Sequence, residues 1–119
     1  MNVGDRSQIE RSFTESDVAA YVSLGGAPTN NDTVPEPMIA ALFSYLLGMR
    51  LPGPGTNYLK QSLEFYSAAK IGDMLTANVE IIRIRPEKSL VYLTTLCVNE
   101  CGEEINSGRA LVRVNDVER

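Results

Sequence analysis

Acid–base or nucleophilic chemistry in this chain has to come from carboxylates, thiols or hydroxyls, because its 119 residues include no histidine. Any mechanism that needs an imidazole is therefore excluded. Two carboxylates are spaced for chemistry. Asp32 and Glu36 flank the start of a long apolar stretch that opens at Pro37. An acid at a helix N-terminus is kept ionised by the helix dipole, which suits a base or nucleophile better than an acid catalyst. The same acid also stabilises a helix start, and Asp32 lies in a polar loop, so both residues carry a plain structural reading beside the chemical one.

The thiols offer less. Cys97 and Cys101 form a C-x-x-x-C pair, and two thiolates without histidine leave a tetrahedral ion short of ligands, so no metal is expected. Cys97 falls in an apolar strand-like run and Cys101 in the turn after it, which reads as one small buried hydrophobe and one free turn thiol. Arg83, Arg85, Lys88 and Arg109 could approach a phosphate, but solvated strand faces carry such residues routinely. The loop Pro52-Gly53-Pro54-Gly55 lacks the Gly-Lys-Ser/Thr ending of a phosphate loop and precedes a strand, not a helix.

Composition bounds the rest. The length fits one domain over residues 1–119, and 44% apolar with 22% charged residues is ordinary for a folded protein. A formal charge of −4 without basic runs gives no footprint for nucleic acid or an anionic membrane surface. The longest apolar run, Met38 to Met49, is short of a bilayer span. The polar segment Met1 to Glu15 does not read as a signal peptide. With only two cysteines, the expectation is a cytoplasmic, reducing setting, in which the sequon Asn31-Asp32-Thr33 is a chance match.

The elements that would position these residues follow from punctuation and period. Arg6 to Thr14 suits a short strand. Thr14 with Asp17 three residues on makes a capping pair for a helix bearing Val18, Tyr21 and Val22 on one side, which Gly25-Gly26 ends. A loop over 27–37 leads to a second helix from about Pro37 to Arg50, apolar nearly all the way round and so expected to be buried on most sides. After Gly55 the period becomes alternating. Leu59, Leu63 and Phe65 share a face, then Leu75, Ala77, Val79 and Ile81. A parity slip at Ile82 suggests a bulge. Leu90 to Val98 is a more continuous apolar strand, and Ala110, Val112 and Val114 share a face of the last. Strand, helix, helix and four strands in a meander predict an α+β domain: a curved antiparallel sheet wrapped around a buried central helix.

A collinear series from Leu42 onward strengthens this. Leu42 to Gly48, Leu51-Pro52-Gly53-Pro54-Gly55-Thr56, Tyr58-Leu59-x-Gln61-Ser62-Leu63-x-Phe65, Ile71-Gly72-Asp73 and Gly102 to Ala110 together resemble the MaoC-like (R)-specific enoyl-CoA hydratases, which have the hot-dog fold. The resemblance implies hydration of a trans-2-enoyl-CoA to the (R)-3-hydroxyacyl-CoA and its reverse, with no cofactor beyond an acyl-CoA or acyl-carrier thioester as substrate. It also implies a dimer, as hot-dog domains pair their sheets. Ser44 and Leu47 match positions that line the acyl pocket of that family; equally, they could be core residues of a buried helix.

The resemblance fails at the chemistry. The family pattern is an aromatic residue, Ser-Gly-Asp-x-Asn-Pro-x-His, a loop excursion, then His-Gly at the central helix. Here Tyr21 to Gly26 matches the approach, Ala27 stands at the catalytic Asp position and Asp32 at that of the catalytic His. The excursion is nearly deleted, and Pro35-Glu36-Pro37 replaces the carbonyl-binding turn. The family comparison thus implies an acyl-thioester binder with impaired or absent hydratase activity. Three other functions stay open: a thioesterase using Glu36 or Asp32, a non-catalytic partner that completes a heteromer with an intact dehydratase subunit, or a purely structural interaction module.

Overall fold

The computed structural model describes residues 1–30 and 32–117; the Asn31 of the sequon lies outside them. The chain runs β1 (Arg6–Arg11), α1 (Glu15–Ser23), α2 (Glu36–Met49), β2 (Asn57–Phe65), β3 (Leu75–Arg85), a single 3-10 turn (Pro86–Lys88), β4 (Leu90–Val98) and β5 (Glu104–Arg113). The order of elements is the one predicted. Strand β1 stops short of the predicted end, because Thr14 leaves the ladder to cap α1. Its hydroxyl accepts from the Asp17 N–H at 3.1 Å, and the Asp17 carboxylate accepts from the Thr14 N–H at 2.9 Å. At the other end, the N–H groups of Gly25 and Gly26 close on the carbonyls of Val22 and Tyr21, with Gly25 at φ 107°. Only glycine takes that conformation without strain.

The five strands form one antiparallel sheet in the order β1-β3-β4-β5-β2. The predicted four-strand meander is therefore only three strands long. Strand β2 crosses to the far edge and pairs with β5, while β1 closes the other edge against β3. A run of apolar alternation marks a strand but not its neighbour, so this choice was not legible locally. The predicted slip in β3 is present: the register with β4 shifts between Ile81 and Arg83, leaving Ile82 bulged outward. A second shift between Tyr58 and Lys60 turns Leu59 out to 44% exposure, contrary to the predicted shared face with Leu63.

Helix α2 lies across the inner face of the sheet. Ile39, Leu42, Phe43, Leu46 and Leu47 are buried against Leu75, Ala77, Val79 and Ile81 of β3 and Val91 and Leu93 of β4. Each such side chain removed from water stabilises the fold by roughly 1.5–3 kcal/mol. The prediction that α2 is buried on most sides is corrected: Ala41, Ser44, Tyr45 and Met49 are exposed, so the helix is apolar all round but covered on one side only. Among the described residues no helix is long and apolar enough to cross a membrane.

The cap yields a pH signature. Hydrogen bonding from the Thr14 backbone and side chain, with Arg11 nearby, holds the Asp17 carboxyl below its ordinary 3.8. A depressed acid stabilises the folded state at pH values above 3.8 and loses that contribution as pH falls through its folded value. Thr14→Ala should cost about 0.5–2 kcal/mol in urea unfolding at neutral pH. The deficit relative to wild type should shrink in acid, which unfolding curves across pH 2.5–7 would check (about 25 °C, two-state fit).

Candidate active site

The segment that enters α2 is pinned from below. The Asp32 carbonyl accepts from the Ile71 N–H at 2.7 Å, the Val34 N–H donates to the Ala69 carbonyl at 2.8 Å, and Thr33 bridges to Lys70. These bonds hold Asp32 at φ 56°, a left-handed conformation that aspartate tolerates better than most residues. Val34 and Pro35 are buried at the helix entrance, whereas Asp32 and Glu36 are both exposed.

A cavity of about 260 Å³ opens there, lined by Thr33, Val34, Glu36 and Ile39 on the helix side and by Phe65 to Ala69 on the β2 side. Its walls mix apolar and polar surface in nearly equal shares, and Glu36 supplies the carboxylate. A larger cavity of about 470 Å³ sits by the other end of α2, between Leu51, Ile84, Leu90 and Val114, away from every candidate carboxylate. Chemistry, not size, selects the smaller one.

Helix starts normally offer free N–H groups to a developing anion. This one offers few. Pro35 caps α2 and Pro37 sits in its first turn, so neither has an N–H to give. The Met38 N–H is taken by the Pro35 carbonyl at 3.0 Å.

The sequence candidates separate in space. Glu36 lines the cavity; Asp32 flanks it through its pinned backbone without lining it. Ala27 is exposed on the connection between the helices and brings no polar side chain. Ser44 lies on the exposed side of α2, and Leu47 is buried in the core. Phe65 and Ile39 are cavity walls that sequence reasoning missed as site residues; strand alternation marked Phe65, and the apolar helix Ile39, only as core-facing. Among the described residues there is no cluster of three or more acidic or thiol side chains that could hold a metal ion.

Comparison with known proteins places this geometry. No family model matches the chain. The chain is similar to the (R)-specific enoyl-CoA hydratase of Aeromonas caviae, 33% identical over 96% of this chain and 96% of that one. It is similar as well to the (R)-specific enoyl-CoA hydratase of Rhodospirillum rubrum, 34% identical over 93% of this chain and 86% of that one. This chain belongs to the (R)-specific enoyl-CoA hydratase family, the MaoC-like hydratases. The solved (R)-hydratase of A. caviae, involved in PHA biosynthesis, superposes with a TM-score of 0.89 at 31% identity, covering 96% of this chain and 97% of that one. The hydratase-like fold is thus the hot-dog arrangement, a curved sheet over a central helix. The alignment with the A. caviae enzyme runs over 128 positions, more than the 119 residues of this chain, so this family member carries gaps relative to that enzyme.

The two thiols differ sharply. Burial pushes the Cys97 thiol up to about 11, whereas Cys101 is exposed in its turn. At pH 8, a thiol reagent should titrate one group per native chain and two after unfolding in guanidinium. A Cys101→Ser variant should show none in the native state.

Proposed function

We propose that this hydratase relative binds acyl thioesters at the start of α2 but does not hydrate enoyl-CoA at an enzymatically useful rate. The observation that carries the reading is the state of the helix entrance. Ala27 and Asp32 occupy the positions that the family resemblance assigns to the catalytic Asp and His, and prolines remove N–H donors from the turn that would hold the thioester carbonyl. Each lost general acid or base typically removes about 10²–10⁴ in rate. The cavity between Ile39 and Phe65 still supplies apolar walls for a short acyl group. Two unpaired cysteines support a cytoplasmic location, and kinship with the hydratases supports a place in acyl-CoA metabolism.

A direct assay separates binding from turnover. The absorbance of crotonyl-CoA should not fall at high protein concentration, while butyryl-CoA should raise the melting temperature of the protein. Hydration at a rate typical of an enzyme would overturn the first half, and no thermal shift the second. A thioesterase is the second reading, favoured by Glu36, a carboxylate in the cavity wall. Acyl-CoA cleavage read by free thiol should then be lost in Glu36→Gln; release that persists unchanged removes Glu36 from the reaction.

The reading includes a homodimer through the free edge of β2. The cavity wall on that side is an edge strand, with Tyr58, Leu59 and Tyr66 exposed beside it. Two copies of β2 aligned antiparallel about Ser62 would set Lys60 opposite Glu64 twice, with Tyr58 opposite Tyr66. Opposite charges directly across strands contribute roughly 0.2–1 kcal/mol per pair, and like charges oppose pairing. At the other edge, Arg6 of β1 is already paired with Glu80 and Arg11 with Asp17. Light scattering should give a dimer that Lys60→Glu weakens and the double exchange Lys60→Glu/Glu64→Lys restores. A monomer that assembles only with an intact hydratase chain would replace this with the heteromer.

A further inference from the structure

The outer face of the sheet gathers three arginines that find no acceptor. Strand register fixes their neighbourhood. Arg83 of β3 lies across from Tyr92 of β4, Tyr92 lies across from Leu111 of β5, and Arg109 and Arg113 flank Leu111 along β5. These residues face outward, because their alternates Leu93, Ala110 and Val112 are buried on the inner face. The arginines are exposed, and Tyr92 and Leu111 are half-buried between them. Other arginines have partners. Arg6 pairs with Glu80, Arg11 with Asp17 and Arg85 with Glu87, and Arg50 donates to the Gln8 carbonyl at 2.9 Å. Among the described residues, Arg109 and Arg113 have no hydrogen-bond or ion-pair partner. Arg83 meets only the Tyr92 ring, 5.4 Å from its centroid.

Taken singly along the sequence, such residues belong to a solvated strand face; it is the register that collects them. A cluster of one sign repels itself, and here it forms in a chain whose formal charge is −4. Its shape and chemistry select an occupant. Guanidinium forks match carboxylates two bonds at a time. Arg109 and Arg113 stand about 14 Å apart along β5, and Arg83 about 10 Å away across two strands. A helix advances about 5.4 Å per turn, so two to three turns span the field. An amphipathic helix with carboxylates on either side of an apolar stripe meets both the arginines and the half-buried centre. A nucleic-acid backbone would meet the charges alone, and the net charge of the chain repels so dense a polyanion.

We propose that this face docks an acidic amphipathic helix of another protein. It lies away from the cavity at Glu36: Phe65, a wall of that cavity, is opposite Asn106, whereas Arg113 is opposite Asn57 at the far end of β2. Docking leaves the thioester site open, and the proposal does not rest on the thioester reading. The test is fluorescence anisotropy with a labelled synthetic helix bearing glutamates on both sides of a leucine stripe, its glutamine twin, and labelled heparin. The full chain is compared with Arg109→Gln/Arg113→Gln and with Ala19→Glu/Ala20→Glu, which changes net charge by the same amount on the exposed side of α1. Wild type should bind the glutamate helix and not the twin, and more weakly as salt rises. The arginine double variant should lose about tenfold in affinity at low ionic strength, with the α1 variant close to wild type. Arg83→Gln alone should weaken binding in the same direction, which keeps the test intact should the double variant melt early. Equal binding of the twin, or equal losses in the two double variants, overturns the proposal. Binding of heparin without the glutamate helix overturns it in favour of a polyanion surface.

Discussion

Five side chains of α2, Ile39, Leu42, Phe43, Leu46 and Leu47, meet the inner face of the sheet, and the rest of the molecule is arranged to keep them there. Burying that stripe sets the distance between helix and sheet, and hence the width of the cavity at the helix start. It also dictates that the chain enter α2 tightly. Val34 and Pro35 are drawn into the core at that entrance, and the backbone bonds from Asp32 and Val34 to the segment 69–71 hold them. Asp32 and Glu36 are placed by this entry, not by any contact with each other.

The same constraint explains what the fold leaves open. Because α2 is covered on one side, Tyr45 and Met49 remain exposed, and β2 contributes no fully buried residue. Half of the site therefore faces an unclosed edge. Pro35 and Pro37 act at the same place, the start of α2. They change the hydrogen-bonding chemistry of the entrance while leaving the apolar stripe, and thus the scaffold, unaltered. Packing of the hot-dog core and the chemistry of the helix entrance draw on different residues.

Much of the fold was legible locally. Thr14 and Asp17 announce a cap, Gly25 a stop, and the parity slip at Ile82 a bulge, since each is decided by a few neighbouring residues. The candidate site was legible in part. Glu36 could be placed at the start of α2 because a helix start is a local event, but neither the cavity beside it nor the exposed position of Ser44 could be. An all-round apolar helix gives no sign of which side the sheet covers.

The sequence alone determined the order of elements, the family resemblance and the absence of histidine. These depend only on residue type and short-range spacing. The tertiary structure decided that β2 crosses to pair with β5, that Leu47 is core while Ser44 is not, and that Phe65, Ile39 and Glu36 share one cavity. Those facts join residues far apart in the chain, and strand partners and cavity walls are settled by packing over the whole sheet, which no local pattern records.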